Sequence, residues 1–267
     1  MQPTNHHPLV NIAIKAARLA GNIIIRAQSD LQNLNVKQKG INDFATSVDH
    51  AAEAAIIDTI RRAYPDHAIL AEESGLSDPK NSDTTWIIDP LDGTTNFIHG
   101  YPHFCVSIGI KQEGVIRHGV VYDPTRDELF TASRGKGAQM NGRRLRVSSV
   151  ETVDGALLGT GFPFREFNYL DDYLTFFKAL IPNCAGIRRA GAAALDLAYV
   201  AAGRLDGFWE FGLKPWDIAA ASLFVIEAGG WLTTIDGDNN YLEATSILAA
   251  PPKVHQQMLA LYQKHFK

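Results

Sequence analysis

At 267 residues the chain has room for one large domain or two modest ones. Its composition, 46% hydrophobic and 20% charged, is ordinary for a soluble globular protein. A net charge of −4 excludes a broad nucleic-acid surface, which would make the domain basic.

The first segment, "MQPTNHHPLVNIAIKAARLAGNIIIRAQ", sets Leu9, Ile12, Ala13, Ala16, Leu19, Ala20 and Ile23 at helical spacing and predicts an amphipathic helix. Lys15, Arg18, Asn22 and Arg26 break any apolar run of roughly 18 residues, so neither a signal peptide nor a membrane span is expected. A polar stretch follows. A second helix is then predicted from about Asp49 to Ala63, with Ala52, Ala55, Ile56, Ile60 and Ala63 on its buried stripe and Pro65 as its stop.

Short apolar runs of strand length come next: "HAILAEE", "TWIID", "FCVSIGI", "IRHGVVYDP", "DELFTAS" and "GAQMNGRRLRVSS". Tight returns such as "KQEG" and "SRGKG" predict an antiparallel sheet joined by hairpins. The texture changes near residue 150. From there strands ("GALLGTGF", "LDGFWEF", "GWLTTID", "TSILAA") alternate with helices (around Tyr169–Leu180, at "PWDIAAASLFVIEAGG", and a final one), and "GIRRAGAAALDLAYVAAG" is a strand running into a small-residue helix, which predicts a three-layer α/β half. The expected class is therefore α/β: an α+β half with an antiparallel sheet over residues 1–149, and an α/β half over 150–267. The boundary falls near Val147–Asp154, without a long linker, and the two halves are countable as one domain. Cys105 and Cys184 form no CxxC or CxxH pattern, so neither a disulfide framework nor a zinc site is expected, and a reducing cytoplasm fits.

The stretch "WIIDPLDGTTNF" runs a buried strand into two aspartates three residues apart. Pro90 and Gly93 suit a plain turn. Other carboxylates, however, also sit where apolar elements end: Glu72 and Glu73 after "AIL", and Asp217 after Trp216 at a helix start, where a lone charge would merely favour the dipole. Carboxylates converging from such fixed positions repel by several kcal/mol per close pair at an effective dielectric near ~20, and persist only around cations. With oxygen ligands alone, Mg²⁺ is favoured over zinc, and paired metal ions serve in-line displacement at phosphorus. A metal-assisted phosphatase follows.

Other chemistries fail on spacing. "DGDNNYLEATSI" has Tyr241 where an EF-hand needs Gly and Ile247 where it needs Glu, and reads as a hairpin turn. Neither a GxxxxGK[ST] loop nor a GxSxG elbow is present. Cys105 lacks a phosphate cradle. Asp89 and Asp92 are three apart, whereas a phospho-aspartyl enzyme wants two. The phosphoryl group should pass directly to water.

"WIIDPLDGTTNF" and "PWDIAAASLFVIEAGG", with "AEESG" and "NDFATSVD" in order and at the expected separation, resemble the signature blocks of the inositol monophosphatase family. Within that family "QKGINDFATSVDHAAEAAIIDTIRRAYP" and "RRAGAAALDLAYVAAGRLDGFWE" are most similar to the bacterial SuhB-type branch. The resemblance implies a layered αβαβα sandwich, a homodimer, and a lithium-sensitive hydrolase acting on inositol monophosphate and similar small polyol or sugar phosphates. It implies two to three Mg²⁺ ions. Glu72, Asp89 and the Leu91 carbonyl would hold one, and Asp89, Asp92 and Asp217 the second, with Glu72 supporting a water-rich third.

The catalytic residues implied are Thr94, Asp49 and Glu72, with Thr94 and Asp49 orienting and deprotonating the nucleophilic water. The Gly93 and Thr94 amides would receive phosphate oxygens. Ala193 would contact the sugar ring through its backbone, Glu210 would bind a hydroxyl, and Asp92 and Asp217 would share in that. Lys39 would lie near the metal entrance. The same branch is associated with ribosomal RNA transcription, through antitermination complexes with RNA polymerase and Nus factors. The basic run "RGKGAQMNGRRLR" offers such partners a handle, or is simply a solvated hairpin.

Overall fold

The structure, a computed structural model, describes residues 6–266 apart from 30, 32–35, 41–42, 79, 164–166 and 245, with the backbone alone at 39, 43, 265 and 266. Helix α1 (Pro8–Gln28) opens on His7, whose Nδ1 accepts the Leu9 N–H at 3.3 Å, with Pro8 in the first turn. By length and hydropathy alone α1 could cross a membrane. Instead Leu9, Val10, Ala13, Ala16, Ala17, Ala20 and Ile24 are buried in one cluster with Ile56 and Ile60, which makes it a core helix.

An antiparallel ribbon, β1 (Val36–Gly40) and β2 (Asp43–Thr46), leads into α2 (Ser47–Ala63). Apolar spacing starts this helix at Asp49; the structure starts it at Ser47. The reason is a capping box. Thr46 Oγ1 accepts the Val48 and Asp49 N–H groups, and the Asp49 carboxylate accepts the Thr46 N–H at 2.8 Å. At the other end of the helix Ala63, expected on the buried stripe, is exposed.

The first sheet collects β3 (Ala68–Ala71), β4 (Gly75–Ser77), β5 (Thr84–Asp92), β6 (Cys105–Gln112), β7 (Val115–Asp123), β8 (Glu128–Ser133), β9 (Gly137–Met140) and β10 (Arg143–Arg144). The five-residue helix α3 (Thr94–Ile98) interrupts the run after β5. Spatial order is β10-β9-β8-β7-β6-β5-β3-β4. Every neighbouring pair is antiparallel except β3–β5, which corrects the expectation of hairpins throughout. Strand β4 folds back on the outer side of β3, so the chain must cross over and run parallel to β3 on its inner side.

The second half supplies β11 (Leu157–Thr160), α4 (Leu170–Leu180), β12 (Gly186–Arg188), α5 (Ala193–Ala201), β13 (Gly207–Phe211), α6 (Pro215–Glu227), β14 (Trp231–Thr233), β15 (Ser246–Ala250) and α7 (Pro252–Phe266). Its sheet is ordered β12-β11-β13-β15-β14, with β11 parallel to β12 and β13 and the remaining pairs antiparallel. The "DGDNNYLEATSI" segment joins the antiparallel pair β14 and β15, as a hairpin turn should.

The layers run α1/α2, first sheet, α5/α6, second sheet, α4/α7, an αβαβα sandwich. Residues Ile218–Val225 of α6 are all buried, because both sheets cover the helix. Glycines let it in. A Cβ on Gly119 of β7 would lie 2.5 Å from Ala220 O, and one on Gly109 of β6 would lie 2.8 Å from Ala219 Cβ. The central core mixes Ile87, Cys105 and Phe130 from the first half with Leu195, Phe208 and Phe224 from the second.

Candidate active site

Strand β5 is buried along nearly its whole length and ends in the acidic turn. Its pairing with β6 is regular up to Asp89–Ser107, slips, and resumes at Asp92–Cys105. Pro90, which has no N–H for the ladder, sits in that bulge. The slip leaves Asp89, Leu91 and Asp92 all lining one cleft of about 100 Å³. The Leu91 N–H bonds back to Asp89 Oδ1 at 2.9 Å and fixes that carboxylate.

Gly93 follows at φ +97°, and a Cβ there would lie 2.9 Å from His103 O, so a side chain is excluded both by backbone and by space. It is the N-cap of α3, whose own ladder begins only with Phe97 N–H bonding to Gly93 O. Thr94 Oγ1 stands 2.9 Å from Asp49 Oδ1 and 3.0 Å from Leu91 O. Asp49 is fully buried behind it, and its other oxygen accepts from Thr46 Oγ1 at 2.6 Å.

The second half closes the cleft. Asp217, in the first turn of α6, has one oxygen fixed by the Lys214 N–H at 2.7 Å. Ala193 starts α5, and the next amide, Ala194 N–H, donates to Asp92 Oδ2 at 2.7 Å. Glu210 comes from β13, and its carboxylate fills the space that a Cβ on Gly161 would need. Glu72 arrives from the end of β3, with its N–H on Ile88 O at 3.1 Å.

Crowding governs the electrostatics. Burial, then Glu72, Asp92 and Asp217, push Asp89 well above the ordinary carboxylate range; only the Leu91 N–H pulls it down. Asp92 is raised by burial and then by Asp217, against the Ala194 N–H. Glu210 is raised by burial, then by Asp217 and Asp196. Asp49 is raised by burial, opposed by its bonds to Thr46 and Thr94. Cys105, with Sγ 3.7 Å from Asp92 Oδ2, is pushed well up by burial and then by Asp92, so it stays a thiol.

This donor set fits Mg²⁺. It consists of carboxylates and one carbonyl, and the largest influences on Asp89 and Asp92 all oppose their negative charge.

The structure thus brings Glu72, Asp89, Leu91, Asp92, Gly93, Thr94, Ala193, Glu210 and Asp217 to one cleft, with Asp49 immediately behind it. Glu73 turns away: its N–H bonds Glu53 Oε2 at 2.8 Å, and its carboxylate lies 3.8 Å from His50 Nδ1. The Lys39 side chain lies outside the described residues. Sequence reasoning missed Asn96, Arg189 and Phe162, which also line the cleft. Asn96 Nδ2 donates to His103 O at 2.7 Å and Ala190 O at 2.9 Å, tying α3 to the loop before α5. The adjacent pair Arg188-Arg189, in an otherwise small and apolar stretch, was the available signal.

Comparison with known proteins agrees with this geometry. The sequence model of the inositol monophosphatase family matches residues 5–266. The Nus factor SuhB of Pseudomonas aeruginosa is 53% identical over 262 residues, covering 97% of each chain. A crystal structure of the extragenic suppressor protein suhB from Bartonella henselae superposes with a TM-score of 0.94 at 41% identity, covering 97% of this chain and 99% of that one. The inositol monophosphatase from Anabaena gives 0.85 at 40% identity, over 96% and 95% respectively. With its signature carboxylates gathered in one cleft of the same fold, the chain belongs to the inositol monophosphatase family, on its SuhB branch.

Proposed function

We propose that the cleft is a Mg²⁺-dependent phosphomonoesterase centre acting on inositol monophosphate and related small polyol phosphates. The observation that carries this is Thr94 Oγ1 held 2.9 Å from buried Asp49, on the rim of a cleft lined by Glu72, Asp89, Asp92 and Asp217. Those four carboxylates and the Leu91 carbonyl would hold the ions. Bound Mg²⁺ supplies the positive charge that offsets the carboxylates and stabilises charge on the phosphoryl oxygens. Asp49 accepts a proton passed through the Thr94 hydroxyl, and its three bonds to Thr46 and Thr94 keep it oriented for this. The Gly93 and Thr94 amides, ahead of the α3 ladder, receive phosphate oxygens. Glu210 and the Ala193 backbone face the polyol. Hydrolysis of a panel of small phosphate esters, with Mg²⁺ and with EDTA, tests the reading; activity undiminished by EDTA rules it out.

The names of the relatives favour a second role more directly than the first: work as a Nus factor. We infer that this chain takes such a role in a transcription complex, in the cytoplasm and as a homodimer. Large apolar side chains are exposed in the second half, among them Phe167, Leu174 and Ile181. If the hairpin carrying Arg143 and Arg144 is the partner contact, the two roles are separable in space. Strand β10, with Arg143 and Arg144 exposed, lies five strands from β5, or about 24 Å at the usual strand spacing. Asp89→Asn should abolish hydrolysis and leave association with purified Nus factors and RNA polymerase within a few-fold. Charge reversal at Arg143 and Arg144 should do the opposite, and wild-type association should weaken with salt. Equal loss in both variants refutes the separation.

A further inference from the structure

A second cleft, of about 490 Å³, lies between the start of α1 and strands β7–β9; the phosphatase reading does not use it, and its basic side belongs to the run that carries Arg143 and Arg144. His6, His7, His118, Arg134, Lys136 and Gln139 line it. The rings of His7 and His118 stack, with centroids 4.4 Å apart and planes at 21°. His118 Nδ1 meets Ser133 Oγ at 2.8 Å, and burial, then His7 and Arg117, bring its pKa down to about 4. At neutral pH that ring is an uncharged aromatic surface.

The cationic side is equally well built. Arg134 Nε donates to Ile116 O at 2.9 Å, which fixes the guanidinium. Lys136 sits in the β8–β9 turn, and Glu227 clamps that turn by accepting the Gly135 and Gly137 N–H groups at 2.7 Å each. A Cβ on Gly137 would lie 3.5 Å from Arg144 Nε, so Arg144 lies over the same turn. Among the described residues none of these three cations has a carboxylate at ion-pair distance. Gln139 Oε1 is buried and has no hydrogen-bond partner, so an acceptor stands ready for a donor. A concentration of positive charge whose neighbouring carboxylate, Glu227, is taken up by two backbone N–H groups suits a multiply charged anion. The cleft is large enough for an organic ligand rather than a bare ion.

We propose that this cleft binds a nucleotide-sized phosphate ester, with the phosphate at Arg134, Lys136 and Arg144 and a ring system beside the paired imidazoles. Calorimetric titration of the full chain with AMP, in EDTA so that the candidate active site lacks its cations, tests this. One site is expected. Lys136→Glu, an exposed change, should weaken it by about tenfold or more through loss of a charge-assisted bond. Adenosine should bind at least about tenfold more weakly than AMP, and Asp89→Asn should leave AMP binding unchanged. Absence of AMP binding, or binding lost in Asp89→Asn and kept in Lys136→Glu, overturns the proposal. Failure of the phosphatase reading would leave these expectations untouched, since the titration involves no hydrolysis.

Discussion

Thr94 and Asp49 meet at 2.9 Å although one follows the end of a strand and the other lies in the first turn of a distant helix. The capping box that starts α2 at Ser47 is what aims Asp49 at Thr94. If the pair handles the proton, Asp49→Asn should lower phosphomonoesterase activity by about 10²–10⁴-fold, the usual reach of a lost general base. Thr94→Ser, which keeps the hydroxyl, should retain most of it. Steady-state kinetics of both variants decide; equal losses would deny the hydroxyl its role.

Asp92→Asn keeps shape and removes one charge from a repelling group. Activity should fall by at least about a hundredfold, the scale of lost transition-state electrostatics. Without metal the variant should be at least as stable as wild type, because repulsion from Asp217 and Glu72 is relieved. Mg²⁺ should raise its melting temperature less than it raises that of wild type. A variant that is less stable without metal yet fully active would deny Asp92 its place as a ligand.

The raised acids fix a pH dependence. Asp89, Asp92 and Glu210 hold their protons more tightly in the folded chain than at the ordinary values of 3.8 and 4.5. Their contribution to stability is fully present below those values and is lost as pH rises through the raised ones. In EDTA the melting temperature should therefore fall as pH rises above about 5, and Mg²⁺ should flatten or reverse that slope. A metal-free melting temperature that rises steadily over this range would contradict the assignment.

Gly119→Ala tests the packing of α6. The added carbon would meet Ala220 O at 2.5 Å, contact that backbone must yield to. A loss of about 1–3 kcal/mol in denaturant unfolding is expected, the typical cost of overpacking. A neutral result would mean that α6 slides easily between the sheets.

Much of this was legible in the chain. Strand lengths, helix faces and the carboxylates at element ends follow from local periodicity and from the cost of gathering like charges. What local pattern does not carry is the partner across the fold. The parallel β3–β5 pair depends on where β4 folds back, and the second sheet turns antiparallel at β15 with no change in the apolar texture of its strands. The resemblance names Asp49, yet apolar spacing starts its helix late, because a capping threonine has no apolar signature. Asn96 escaped notice as a site residue because its bond to Ala190 O spans nearly a hundred positions, and its neighbours in sequence say nothing of that carbonyl.

The cleft draws Glu72, Asp89 and Asp92 from one side of the connection at Val147–Asp154, and Ala193, Glu210 and Asp217 from the other. If the cleft hydrolyses phosphate esters as proposed, a chain severed in that connection would yield two inert pieces, and hydrolysis would return only when they reassembled. Catalysis would then report the meeting of any two proteins fused to the fragments, which makes the architecture a natural split reporter.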